Sequence, residues 1–369
     1  MTSDLRQRLL RAGELAAEHG IDTLLVSPGS DLRYLTGYDA KPLERLTCLV
    51  LPAGHPPALV VPLLERPAAE AAGVADLGIE IVAWNETDDP YAVVARYIDA
   101  DAPTVAYDNQ MWAEKVLAFA DAMPGAKQTL AGEVIGALRM RKSAYEIDLL
   151  RDAGAAIDRV HARMGEWLRP GRTEREVGAD IAAAIIDEGH ATVDFVIVGS
   201  GPNGASPHHE VSDRVIGENE PVVIDIGGTT EAGYCSDSTR TYVTGSHVPD
   251  DFAAYYAVLQ QAQQAQCEYA RPGVTAASVD KVGRDIIASA GYGDAFIHRT
   301  GHGIGMETHE DPYIVDGNDL VLEAGMAFSI EPGIYVEGKH GARIEDIVVC
   351  TDDGAERLNV RPRDLGVLG

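Results

Sequence analysis

The chain has 369 residues, 46% hydrophobic and 24% charged, with a formal net charge of -28. That length favours two domains with a sizeable core, and so acidic a chain lacks the basic footprint that nucleic acid or an anionic membrane requires. No apolar run has signal-peptide or bilayer-spanning length, so a cytoplasmic location is expected.

In chain order, Leu5, Leu9, Leu10, Ala12, Ala16 and Ala17 lie at helical spacing, and Gly20 closes the segment. Strand-like runs at 23–26, 46–51, 58–61, 79–82 and 104–107 then alternate with helical patterns at 64–72, 91–98 and 111–120. Such alternation makes an α/β domain, assigned here to residues 1–135. It holds no cluster of catalytic-type residues, which leaves it a shaping or oligomerising role. Cys48, Cys235, Cys267 and Cys350 are scattered along the chain without a Cys-x-x-Cys pair and are expected to be buried thiols.

A second domain, 139–369, opens with Ser143 and Glu146, a capping box heading a helix expected to run through Trp167. That helix stops at Arg169-Pro170-Gly171-Arg172-Thr173, where Thr173 and Glu176 open the next one. The same order returns at Arg271-Pro272-Gly273-Val274-Thr275, 102 residues later (272 minus 170). Pro-Gly followed by a Thr cap is a common helix stop and start, so the corners alone leave duplication and coincidence both open.

The acidic residues favour duplication. Asp225 stands six residues before Glu231 and Asp237 six after, on two strand-like runs joined by a Gly/Thr-rich turn. A hairpin centred on Glu231 sets the two carboxylates side by side, with Cβ atoms about 4.5–5.5 Å apart. Glu331 and Glu345 flank a second turn, seven residues before and after Gly338. Facing the two pairs across a pseudo-twofold axis gathers four carboxylates in one pocket. Between the hairpins, Gly301-His302-Gly303-Ile304-Gly305 suggests closely packed backbone with an imidazole aimed into that pocket. Four carboxylates and one imidazole suit two divalent ions, which acidify bound water enough to provide hydroxide near neutral pH.

The runs Asp225-Ile226-Gly227, Gly233-Tyr234-Cys235-Ser236-Asp237-Ser238-Thr239-Arg240-Thr241, the glycine-flanked histidine, Ile330-Glu331-Pro332-Gly333-Ile334-Tyr335 and Arg343-Ile344-Glu345-Asp346 together resemble the pita-bread metallopeptidases. These include prolidase, aminopeptidase P, methionine aminopeptidase and the metal-free creatinases. The resemblance covers nearly the whole chain and implies an α+β fold: a pita-bread catalytic domain with an internal pseudo-twofold, preceded by a smaller creatinase-like α/β domain. Position by position it implies Asp225, Asp237, His302, Glu331 and Glu345 as metal ligands, with Asp237 and Glu345 bridging. Manganese is the expected metal, with cobalt, zinc or iron as alternatives.

The resemblance further implies that His208 faces substrate, that His309 steadies the oxyanion and that His298 lines the pocket, while the adjacent His209 leaves a one-residue ambiguity. Glu331 is the expected proton shuttle. Arg343 is counted with the substrate pocket but suits orienting the acids better than touching substrate. The implied reaction is hydrolysis of Xaa-Pro dipeptides by a hydroxide held at the two ions, in a homodimer, with a small peptide as partner. Aminopeptidase P-type cleavage of longer Xaa-Pro peptides is the near alternative, and a non-catalytic binding scaffold the alternative of another class; a scaffold should have lost ligands, and all five are present. Two features depart from the family pattern. The aspartates are 12 apart (237 minus 225), one more than in many members, and Tyr313 stands where some prolidases place an arginine that grips the substrate carboxylate.

Overall fold

A computed structural model describes residues 2–98 and 102–369, divided into two compact units, Met1–Arg139 and Met140–Gly369. The first is built on a six-stranded mixed sheet in which Thr23–Val26 lies antiparallel to Cys48–Pro52 and parallel to Thr104–Tyr107. Its central strands are continuous apolar runs because they are buried throughout. Two elements escaped the sequence patterns. The edge strand Lys127–Leu130 is exposed along its whole length and carries no alternation, and Ser30–Thr36 is a seven-residue helix ended by Gly37 at φ 73°, too short to show a period.

In the second unit Ser143 and Glu146 form the reciprocal capping box, and the helix runs Ala144–Ala162. It stops short of Trp167, because the chain tightens at Met164–Glu166 into a 3₁₀ turn around Gly165, a poor helix former. The two corners prove equivalent in detail. Thr173 and Thr275 each cap a helix of 14 residues, Glu174–Asp187 and Ala276–Ser289. Gly171 and Glu174 donate to the carbonyls of Ile216 and Arg214, while Gly273 and Ala276 donate to those of Leu322 and Leu320. Matching bridges join Thr173 to Val215 and Thr275 to Val321. A chance pair of helix stops would not reproduce this backbone pattern, so the unit is a structural duplication.

Its strands sort side chains by the period of two. In the first half, Val222, Ile224 and Ile226 of Pro221–Thr230 pack on Ile157, Val160, Val177 and Ile181 of the helices. In the second, Phe328, Ile330 and Val348 pack on Ala276 and Val279. The intervening positions, Asp225 and Gly227 in one half and Ser329 in the other, face away from those cores. His190–Ser200 forms a strand that sequence alternation did not reveal, since two register shifts interrupt it. All four cysteines are buried and free, and no described helix is long and apolar enough to cross a membrane.

Candidate metal centre

The first hairpin pairs Asp225 with Thr239 and Gly227 with Asp237. Its centre is therefore one residue beyond Glu231, which corrects the side-by-side arrangement. The aspartates are diagonal neighbours on one face, a relation that sets Cα atoms about 7–8 Å apart. In the second half, Ile330 pairs with Asp346 and Gly333 with Arg343. Both pairs are symmetric about Gly338, which sets Glu331 opposite Glu345 at the break between the two ladders.

His302 lies on a strand wedged between neighbours. A Cβ on Gly301 would sit 1.9 Å from the Ser329 carbonyl oxygen, and one on Gly303 2.2 Å from that of Asp311, so no side chain fits beside the histidine on either side. Its Nδ1 donates to the Gly303 carbonyl at 3.0 Å. Its Nε2 lies 3.2 Å from Glu331 Oε1 and 3.6 Å from Asp237 Oδ2, so that, with Nδ1 bonded to Gly303, a cation could be held on Nε2 between those acids.

Three overlapping sets have donor atoms within 4.8 Å of one another: Asp225, Asp237 and Glu345; His302, Glu331 and Glu345; and Asp237, His302 and His309. Asp225 Oδ1 and Glu345 Oε1 are buried with no hydrogen-bond partner among the described residues. Buried carboxylate oxygens left in that condition are costly, and an oxygen-rich donor set with one imidazole is the chemistry that a divalent cation satisfies. The residues therefore fit a metal.

Burial and mutual repulsion account for the electrostatics. Burial, then the neighbouring carboxylates, pushes the pKa of both Asp237 and Glu345 well above the usual range, and burial raises Asp225 despite Arg343. Burial opposes ionisation of Glu331 as well, but the hydrogen bond with His302 and nearby positive charge outweigh it and hold that acid at about 2.

The halves are stapled by residues that sequence reasoning passed over. Thr239 donates to Glu345 Oε2 at 2.8 Å and accepts from Arg343 Nε at 3.1 Å. Arg343 also donates to Asp225 at 2.5 Å, to the Tyr335 hydroxyl at 2.7 Å and to the Pro207 carbonyl at 3.3 Å. These bonds commit its guanidinium to the protein, in the orienting role. Tyr335 in turn bonds His298 Nε2 at 2.8 Å. Thr239 and Tyr335 follow Asp237 and Glu331 at intervals of two and four within the quoted motifs, so same-face spacing was the available signal.

The ambiguous histidine pair is resolved by Glu174. This fully buried carboxylate accepts from His209 Nε2 at 2.7 Å and also from Ser200, Asn203 and Ser212. His209 is thus an anchor, and His208 is left without that tether. The ring of His309 stands edge-on to His302 with centroids 4.0 Å apart. Burial, then His302 and Arg299, depresses its pKa to about 4, so it is neutral at pH 7.

One cavity of about 940 Å³ is lined by Asp225, Asp237, His302, Glu331 and Glu345 together with His208, His298, His309 and Arg343. Phe195, Ile197 and Ile297 add apolar wall, and Arg299 adds a further cation.

Comparison with known proteins gives two domain matches, to metallopeptidase family M24 over residues 148–352 and to the creatinase/prolidase N-terminal domain over residues 8–141. The chain is 54% identical over 363 residues to a probable dipeptidase PepE of Mycobacterium tuberculosis, covering 98% of this chain and 96% of that protein. It is 38% identical to an Xaa-Pro dipeptidase of Lactobacillus delbrueckii subsp. lactis, covering 95% and 96%. The solved dipeptidase PepE of Mycobacterium ulcerans superposes with a TM-score of 0.96 at 52% identity, covering 100% of this chain and 98% of that one.

Proposed function

The chain belongs to metallopeptidase family M24 and is a metal-dependent peptidase, and from that premise we propose that it hydrolyses Xaa-Pro dipeptides at a two-metal centre held by Asp225, Asp237, His302, Glu331 and Glu345. The single observation that carries this reading is the convergence of those five donors, two with unpartnered buried oxygens, on one cavity. Asp237, His302 and Glu345 each belong to two of the three donor sets, and of these only the two carboxylates have a second oxygen to offer, which supports Asp237 and Glu345 as the residues that would be shared between two ions. Manganese is the proposed metal, with cobalt, zinc or iron as alternatives.

Divalent ions bound here supply Lewis-acid polarisation and an acidified water. The side chains do the rest. Glu331, held ionised and oriented by a 3.0 Å hydrogen bond from Ser329, accepts a proton from the attacking water and returns it to the leaving nitrogen. That return is needed because an amide nitrogen leaves as a neutral amine only once it has gained a proton. His309, neutral at pH 7, donates an N–H to the developing oxyanion, and His208 lies in the same cavity to assist. Arg343 fixes Asp225 and, through Thr239, the Glu345 side. A homodimer and a cytoplasmic location complete the proposal; sedimentation and cell fractionation test them.

The decisive experiment compares Ala-Pro with Ala-Pro-Ala on chelator-treated and manganese-reloaded protein. Dipeptide cleavage should vanish with the metal and return with it. Full turnover by metal-free protein overturns the metal centre, and preference for the tripeptide replaces the dipeptidase reading with the aminopeptidase one.

A further inference from the structure

The cavity contains two arginines in different situations. Arg343 is saturated by Asp225, Thr239, Tyr335 and the Pro207 carbonyl. Arg299 forms no ion pair among the described residues. Its guanidinium carbon sits 4.4 Å from the centroid of the Tyr313 ring, and its side chain lines the cavity beside His302 and His309. Arg299 also makes no side-chain hydrogen bond among the described residues, so while the ring holds the cation over its face its N–H fork is open to grip a carboxylate through two parallel bonds.

A peptide with its scissile carbonyl at the acidic cluster has a cationic amino end, which Arg299 repels, and an anionic carboxyl end, which it attracts. In a dipeptide that carboxylate is one Cα from the scissile nitrogen. In a longer peptide a neutral amide takes the same place and offers no charge to the fork.

We propose that Arg299, held by its stack on Tyr313, binds the C-terminal carboxylate of the substrate and makes the pocket selective for dipeptides. The inference rests on the peptidase reading above and names its specificity determinant.

The test measures kcat and KM of the manganese-loaded protein for Ala-Pro and for Ala-Pro amide, which lacks only the carboxylate charge. Arg299→Gln should lose about 10- to 100-fold in kcat/KM on Ala-Pro, mainly through KM, while cleavage of the amide changes by less than about threefold. Arg299→Lys should recover part of the loss, and Tyr313→Phe, which keeps an aromatic face, should stay near wild type. Calorimetric binding of a reduced-bond Ala-Pro analogue should weaken in Arg299→Gln by the same factor, a result that general damage to turnover would not produce. An equal loss on both substrates, or no loss on Ala-Pro, overturns the proposal. Wild-type protein that cleaves the dipeptide and its amide equally well overturns this inference alone, whereas wild-type protein that cleaves neither overturns the peptidase reading beneath it.

Discussion

The two hairpins of the second unit deliver the same pair of acids by different means. In the first, aspartates project diagonally from an unbroken ladder running from Pro221–Val243 to Thr229–Cys235. In the second, longer glutamates face one another where a four-residue ribbon meets the next sheet. The ladder of the first is self-sufficient, whereas the second leans on it: Thr241 accepts from Arg343 N at 3.2 Å and Thr239 O from Glu345 N at 3.1 Å. The duplicated halves have thus diverged into a rigid frame and an adjusted insert. Side-chain length compensates for backbone position, and Glu331, the proposed proton shuttle, sits on the adjusted side.

The sharpest break in that comparison is Glu331→Gln. Among the four acids, only Glu331 is held ionised in the metal-free site, by His302 and nearby positive charge. Its amide should cost about 10²–10⁴ in kcat with far-UV dichroism unchanged; near-normal turnover would move the shuttle elsewhere. The other three acids give the next effect. Their folded-state pKa values are raised, so each favours the fold only while protonated. That contribution is lost as pH climbs from the ordinary carboxylate range through the raised values. Metal-free protein should therefore melt lower at pH 8 than at pH 5. Added manganese, at a hundredfold excess over its Kd, should restore about 2.7 kcal/mol, and a melting gap that shrinks with rising pH would contradict the shared-cation view. Thr239→Val comes third: it leaves Glu345 Oε2 and Arg343 each short of a partner and should cost about 1–3 kcal/mol in urea unfolding, with reduced metal content, whereas intact metal binding would show that the staple is not needed.

The duplication and the four acids were legible in the sequence because caps, turns and period-two spacing are local codes. Even there a one-residue error in the turn centre converted diagonal neighbours into facing ones, since nothing local reveals which residue occupies the tip. The bulged strand His190–Ser200 was hidden because its register shifts scramble alternation. Glu174, Thr239 and the Arg299–Tyr313 stack were hidden for a different reason. Their roles are set by contacts between segments far apart in sequence, 26 to 38 residues for Glu174 and 106 for Thr239 with Glu345.

Glu174 tests the asymmetry most finely. Its counterpart after the second corner, 102 positions on, is Ala276, which has no carboxylate with which to gather a loop. The His309 side is instead secured by a buried ion pair between Lys142 and Glu310 at 2.7 Å. Burial opposes the Glu174 charge, but hydrogen bonds from Ser200, Ser212 and His209 overcome it and hold the acid at about 2. Its stabilising effect should be complete above the ordinary glutamate range and fade as pH falls toward 2. Glu174→Gln keeps the shape and loses the charge-assisted bonds, so it should cost about 1–2 kcal/mol at pH 7, with the deficit narrowing on acidification. Through the His208 loop it should also raise KM for Ala-Pro about threefold while leaving kcat within about twofold. If His208 took no part in the site, the stability loss would appear without the change in KM.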